Sequence, residues 1–408
     1  MQRMCSFVVA FKMICFNFAV QNNKLAMSKI DIKRVEDKRG LDLFVDFYYD
    51  LYRGNDYFVP FLRFDEIQTL RKDKNPSFEC CEAEYFLAYK DGKVAGRVAA
   101  IINHRANERW NNKQVRFGWF DFIDDINVSS ALINAVKEWG RGKGMTEVVG
   151  PMGFTDMDRE GMLVEGFDQV ATHYINYNYP YYLEHLEKMD GWQKDNDYLE
   201  YKIKVPEQVP DKFGKIAEMV EKRYNLKVRK LTSRELVHGG YGKQIFNMVN
   251  ATYKDLYGYS ELSESQINEY VDSYIKKADM NLVTTVVDMN EGGKLVGFGV
   301  SFPSFARAMQ NTRNGKLLPF GWWHVIKALK WHKTDTVDLL LIGVLPEYRS
   351  KGANALIFND LIPRFQQYGF RWAEAMPQME SNENVRSQWQ YLDAEQHRRH
   401  RVFKMKNE

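Results

Sequence analysis

Two stretches of this chain repeat one order of secondary-structure signals, and that repetition limits the available folds more than any single motif. In the first stretch, residues 30–35 alternate apolar and charged side chains as a half-buried strand does, and residues 41–52 carry apolar residues at helical spacing. Residues 85–89 and 94–102 read as strands joined by the hairpin turn Asp91-Gly92. Residues 115–123 give a strand, 129–139 an amphipathic helix, 147–150 a short strand, 181–189 a helix and 197–205 a closing strand. The run 206–210, PEQVP, is a linker signal with a proline at each end. The order then returns with a strand at 228–231 and helices at 242–256 and 263–276, the second opened by Ser263-x-x-Gln266. A hairpin follows at 283–288 and 294–302, then an apolar strand at 338–344 and a helix at 353–368. A strand at 371–376, a helix at 384–391 and a strand at 399–405 complete the series. Hairpins mixed with crossover helices predict an α/β class, more closely an α+β mixed sheet, used twice with units at residues 27–205 and 206–408.

Bulk properties exclude several classes. With 45% hydrophobic and 27% charged residues the chain is an ordinary globular one. A formal net charge of +3 disfavours a nucleic-acid partner. The basic run His397-Arg398-Arg399-His400-Arg401 reads as an edge strand with alternate residues in solvent. Cys5, Cys15, Cys80 and Cys81 form no CxxC or zinc spacing, so no metal is expected and the thiols fit a reducing, cytoplasmic setting. Residues 1–26 are a leader or a mis-assigned start: their apolar stretch resembles a short signal segment but is interrupted by Lys12 and Asn17, and a start at Met27 is the preferred account.

The chemistry concentrates at residues 344–356, VLPEYRSKGANAL. A buried strand runs into a basic, glycine-containing turn and then into an apolar helix. Unpaired N–H groups at a helix start, with the helix dipole behind them, favour an anion such as a pyrophosphate. Arg349 and Lys351 add positive charge, and Gly352 allows close approach to the backbone.

In that context the run resembles the pyrophosphate turn of the GNAT acyltransferase superfamily, [RQ]-x-x-G-x-[GA]. Arg349 and Gly352 match it, and Asn354 stands where Gly or Ala is usual. The resemblance implies two tandem GNAT-like domains, the N-terminal one degenerate, and an acyl-CoA co-substrate, acetyl-CoA by default. Leu341, Gly343, Val344, Arg349, Ser350, Lys351, Gly352, Ala353, Asn354 and Asn384 would hold it, its pantetheine arm lying like a strand between residues 339–344 and 371–376. Asn384 and, seven residues on, Tyr391 match a further family feature in which the tyrosine protonates the leaving thiolate. Glu374, alternating with Trp372 and Met376, is the expected general base for an amine acceptor, small molecule or peptide, with His324 as the alternative.

The first stretch lacks the cradle, since Asp125-Ile126-Asn127-Val128-Ser129-Ser130 stands in its place and its acidic residues repel pyrophosphate. The Gly- and Tyr-rich segments 150–161 and 176–182 either line an acceptor pocket or pack the halves together. In residues 319–333, Trp322, Trp323, Ile326 and Leu329 share one helical face opposite Lys327, Lys330 and Lys333. That face could touch anionic lipid, cap an acyl channel or pack on the core. Two further functions stay open: a long-chain N-acyltransferase similar to N-acyl amino acid synthases, and a non-catalytic acyl-CoA sensor.

Overall fold

The computed structural model describes residues 29–407, so the expected leader and the start at Met27 lie outside the described residues. The strands are β1 (Ile30–Arg34), β2 (Cys81–Lys90), β3 (Lys93–Asn103), β4 (Gln114–Phe122), β5 (Glu147–Gly150), β6 (Met162–Glu165) and β7 (Gln193–Lys204). After the linker come β8 (Leu226–Arg229), β9 (Val283–Asp288), β10 (Lys294–Pro303), β11 (Thr336–Val344), β12 (Trp372–Met379) and β13 (Ala394–Lys406).

All belong to one 13-stranded sheet, in the order β1-β2-β3-β4-β5-β13-β7-β12-β11-β10-β9-β8, with β6 paired to β13 off this path. The order is symmetric about the β13–β7 pair. Each half has antiparallel neighbours up to one parallel pair, β4–β5 or β11–β12. Beyond that pair sits the last strand of the other half: β13 against β5, and β7 against β12. Residues 205 and 206 therefore divide the element order but not the sheet.

That exchange corrects the reading of the basic run. β13 is central, not an edge, and Arg398 and His400 are buried. Glu200 on β7 lies 2.6 Å from the Arg398 guanidinium and 2.7 Å from the His400 ring. Arg399 and Arg401 pair with the buried Asp197. Burying so many ions is tolerable only because they are mutually paired.

Helices cover both faces of the second half. On one face, the helices Asp211–Tyr224 and Ala353–Gln367 pack Phe213, Val220, Leu356 and Phe358 over β11 and β12. On the other, Tyr241–Tyr253 and Glu264–Ser273 pack Phe246 and Ile267 against Phe298 and Val300. The helix Asp211–Tyr224, unforeseen from sequence, starts directly after Pro210, and Phe213, Ala217 and Val220 supply its apolar face. The helix expected at 384–391 is instead a turn of helix, Glu383–Arg386, and a 3₁₀ turn, Trp389–Tyr391. Burial of Trp389, whose indole donates to Gln378 on β12, breaks the helical run.

Candidate active site

β11 and β12 pair from Thr336↔Trp372 to Leu339↔Ala375 and then part. Both carry an irregularity at that point. β11 slips one residue against β10 at Val300/Ser301, and β12 slips against β7 between Ala375 and Gln378. Bulges bend the strands that carry them, which accounts for the divergence. Beyond the fork, residues 339–342 and 376–378 are partly exposed within the sheet. Two facing backbone edges without ladder partners form a slot for an extended, amide-bearing chain.

The slot opens onto the cradle. Pro346–Arg349 forms one helical turn, and Gly352, at φ 83°, opens the helix Ala353–Gln367 with no side-chain cap. The first N–H groups of that helix therefore lack a side-chain acceptor at the N-cap, the arrangement that suits an anion at a helix start. Arg349 donates to the carbonyls of Val344, at 3.2 Å, and Thr252, at 3.0 Å, tying the end of β11 to the helix Tyr241–Tyr253. The Lys351 ammonium lies 3.9 Å from the centre of the buried Tyr348 ring, whose hydroxyl bonds Asp288. Leu341 and Val344 are partly buried; Gly343 lets β11 pass under Phe298, where a Cβ would come within 2.6 Å of the ring.

In the first half both features are blocked. The carboxylate of Asp125 caps the helix Ile126–Gly142, accepting from the Asn127 N–H at 2.9 Å. The fork between β4 and β5 is filled by the chain itself. Met152 donates its N–H to the Phe117 carbonyl at 2.8 Å, and a Cβ on Gly118 would lie 2.5 Å from the Met152 carbonyl. What remains beside it is a cavity of about 30 Å³, room for a water or two.

At the fork of the second half, the sheet face away from the helix Ala353–Gln367 carries ionisable groups. Asp338 faces Glu374 across the parallel pair, one residue before the strands part. Asp338 is fully buried, and that burial, with Glu374 next, pushes its carboxyl up to about 8. Glu374 lies 2.8 Å from the imidazole of His397 on β13. His397 in turn lines a cavity of about 220 Å³ with Lys202, Trp372, Asp393 and Glu395. Sequence reading found Glu374 but missed Asp338 and His397; only the pairing of the strands reveals them.

Tyr174 lies within electrostatic reach of both Asp338 and Tyr274. Tyr274 is 44% exposed, and desolvation pushes its phenol up to about 12. In residues 150–161, burial raises Asp156 to about 6 and, with Asp156 added, Glu160 to about 8. Arg159 pairs with Glu66 and stacks over Phe61 at 3.7 Å. Residues 150–153 fill the first fork, and Asp156 accepts from the Ser260 N–H of the second half at 2.9 Å, so this segment packs the halves together, one of the two readings its sequence left open.

Tyr391 packs on the helix Asp211–Tyr224, its ring 3.5 Å under the Lys212 ammonium and edge-on to Phe213. Asn384 sits in Glu383–Arg386, and its side chain lies outside the described residues. The phenol that meets the parted segment is Tyr253, donating to the Ile342 carbonyl at 3.2 Å. His324 sits on the helix Gly321–Trp331, outside the Asp338–Glu374–His397 cluster. On that helix Leu329 belongs to the inner face with Val325 and Ala328, which corrects the expected grouping with the exposed Trp322, Trp323 and Ile326. Among the described residues no group of three or more His, Cys, Asp or Glu could hold a metal ion.

No protein-family model matches the chain. It is 25% identical over 377 residues to Protein YghO of Escherichia coli (strain K12), covering 90% of this chain and 93% of that protein. It is 26% identical over 295 residues to a bacterial ceramide synthase of Caulobacter vibrioides (strain NA1000 / CB15N), covering 70% of this chain and 73% of that protein. Among solved structures, a tandem GNAT protein from the clavulanic acid biosynthesis pathway matches with a TM-score of 0.53 at 13% identity, over 93% of this chain and 99% of that one. The GCN5-related glucosamine N-acetyltransferase region of a fungal multi-domain beta-N-acetylglucosaminidase matches with a TM-score of 0.54 at 12% identity, over 93% of this chain and 38% of that one. The fold is that of the GNAT acetyltransferases, two copies in tandem sharing one sheet.

Proposed function

We propose that the protein is a cytoplasmic acyltransferase that moves an acyl group from acyl-CoA to an amine, with one donor site, in residues 206–408. The observation that carries this reading is the fork of β11 and β12, which meets an uncapped helix start at its open end and Asp338 beside Glu374 at its closed end. The pyrophosphate would rest on the N–H groups around Gly352, Ala353 and Asn354, with Ser350 and the Lys351 charge beside it, while Arg349 holds the turn in shape. The pantetheine amides would pair with the free edges beyond Leu339 and Ala375.

The acceptor nitrogen attacks the thioester carbonyl from the sheet face that carries Asp338 and Glu374. A C–N bond forms, the C–S bond breaks, and the nitrogen loses a proton. Asp338 in its ionised form, whose share grows as pH rises toward 8, takes that proton; a carboxyl held near 8 is matched to an amine far better than an ordinary carboxylate. Glu374 and His397 offer it a path to the 220 Å³ cavity. The departing thiolate takes a proton from a phenol, Tyr253 by position or Tyr391 by spacing.

Acetyl transfer is the default. A long acyl chain and a lipid-like amine are the second reading, supported by the relative named a bacterial ceramide synthase. Thiol release from acetyl-CoA and palmitoyl-CoA over a panel of amines separates the two. Donor binding without thiol release on any amine leaves a non-catalytic acyl-CoA sensor instead.

A further inference from the structure

We propose that residues 313–333, together with Phe64, form a docking surface for an anionic lipid bilayer. The side chains there project rather than tile a patch: Leu318 is 77% exposed, Phe320 74% and Phe64 70%. Trp331, Trp322 and Trp323 are each 40% or more exposed, with ring centres 5.7 Å apart for Trp322–Trp323 and 5.0 Å for Trp323–Trp331. The helix Gly321–Trp331 already spends Val325, Ala328 and Leu329 on the first core, so these rings face outward as a second apolar face. The Arg63 N–H bonds the Gly315 carbonyl at 3.1 Å, which sets Phe64 beside the same segment.

Charge selects the occupant. Between Ser304 and Thr334 the chain has six cationic residues, Arg307, Arg313, Lys316, Lys327, Lys330 and Lys333, and no Asp or Glu. Tryptophan and lysine around projecting aliphatic and phenyl groups match the layering of a bilayer interface, where rings sit at headgroup depth and cations meet anionic lipid. Projecting side chains need no complementary pocket in a fluid phase, whereas a protein partner would have to supply one. Among the described residues no helix is long and apolar enough to cross a membrane, so the contact is peripheral. Asp65, next to Phe64, lies within electrostatic reach of Tyr274, and Tyr274 of Tyr174 near Asp338, so these residues lead from this surface toward the fork. Where the acyl-transfer reading holds, an amine-bearing lipid would enter there from the bilayer; docking itself does not depend on that reading.

Flotation of the full chain with vesicles tests it. The parent should float with phosphatidylglycerol-containing vesicles and about tenfold less with phosphatidylcholine alone. Its tryptophan emission should shift to the blue on binding. Leu318→Asp/Phe320→Asp should abolish flotation, and Lys327→Glu/Lys330→Glu should remove the preference for phosphatidylglycerol, each with the parental melting temperature. If the double aspartate variant melts early, Leu318→Ser alone gives the reading. Failure of the folded parent to float, equal flotation of the aspartate variant, or a parent dimer that this variant splits would overturn the proposal, the last by showing a second copy on the surface.

Discussion

Asp338 on β11 and Glu374 on β12 are register partners in a parallel pair, and the strands separate immediately after the next pair. Neighbouring strands lie about 5 Å apart, so two carboxyls are held together with little water. Burial and this neighbour together raise Asp338 to about 8, so the ionised form that can accept a proton is the minor one at pH 7 and grows as pH rises through 8.

Asp338→Asn should therefore do two opposite things. As loss of a general base it should lower turnover by about 100-fold or more, with donor binding unchanged. Stability should move the other way. The folded value of Asp338, about 8, lies above the unfolded one, so its favourable contribution is complete below about pH 4 and is lost as pH rises toward 8. Groups facing it are Glu374 on β12, Arg398 on β13, Ser304 after β10 and Tyr174 from the first half. The variant should melt higher than the parent at pH 8, with the gap closing toward pH 4. A variant that is inactive and also less stable at pH 8 would mean that Asp338 holds structure only.

Donor stoichiometry distinguishes the halves. Calorimetric titration with CoA should give one site per chain, since Asp125 occupies the first helix start and residues 150–153 fill the first fork. Lys351→Glu should weaken binding about tenfold or more. Gly352→Ala should also lower the melting temperature, because φ is 83° there and the new Cβ would lie 2.9 Å from Ile216.

Gly118→Ala examines the plugged fork directly. Its Cβ would press on the Met152 carbonyl at 2.5 Å. Overpacking of this kind costs about 1–3 kcal/mol, a fall of a few degrees in melting temperature. CoA affinity should not change, because the plug belongs to the half without a donor.

The sequence was most legible where local signals and tertiary demands agree. The Asp91-Gly92 hairpin forms with both residues at positive φ, and Ser263 and Gln266 make the expected capping box. The cradle was legible because strand, turn and helix are contiguous in the chain. Asp338, Glu374 and His397 come from three strands, and His397 reaches Glu374 across β7, which the exchange sets between β13 and β12. No local pattern reports a strand exchange. The basic run of β13 was misread for the same reason, as its partners Glu200 and Asp197 lie almost two hundred residues away.

Two phenols compete for the proton donor's role, and position argues against spacing. Tyr253 bonds the Ile342 carbonyl on the parted segment, while the Tyr391 ring is held between Lys212 and Phe213. Tyr253→Phe should lower kcat about 100-fold with KM for the donor little changed, and Tyr391→Phe should stay within about twofold of the parent. The reverse pattern would return the role to Tyr391.

Arg398 and Glu200 test what the exchanged strands contribute to stability. Burial alone would raise the Glu200 carboxyl, but Arg398 and then His400 outweigh it and hold it at about 2. The folded value lies below the unfolded one, so the contribution is present above about pH 4 and is lost as pH falls toward 2. Arg398→Met leaves the carboxylate buried with His400 as its remaining partner, which should cost about 3–5 kcal/mol at pH 7. The loss should shrink as the pH is lowered and the carboxyl is neutralised. Arg398→Met/Glu200→Leu should recover most of it, because a packed apolar pair removes the stranded charge. If the double variant instead unfolds at pH 7, the ion pair is needed to set the register of β13 against β7 rather than merely to neutralise a buried charge.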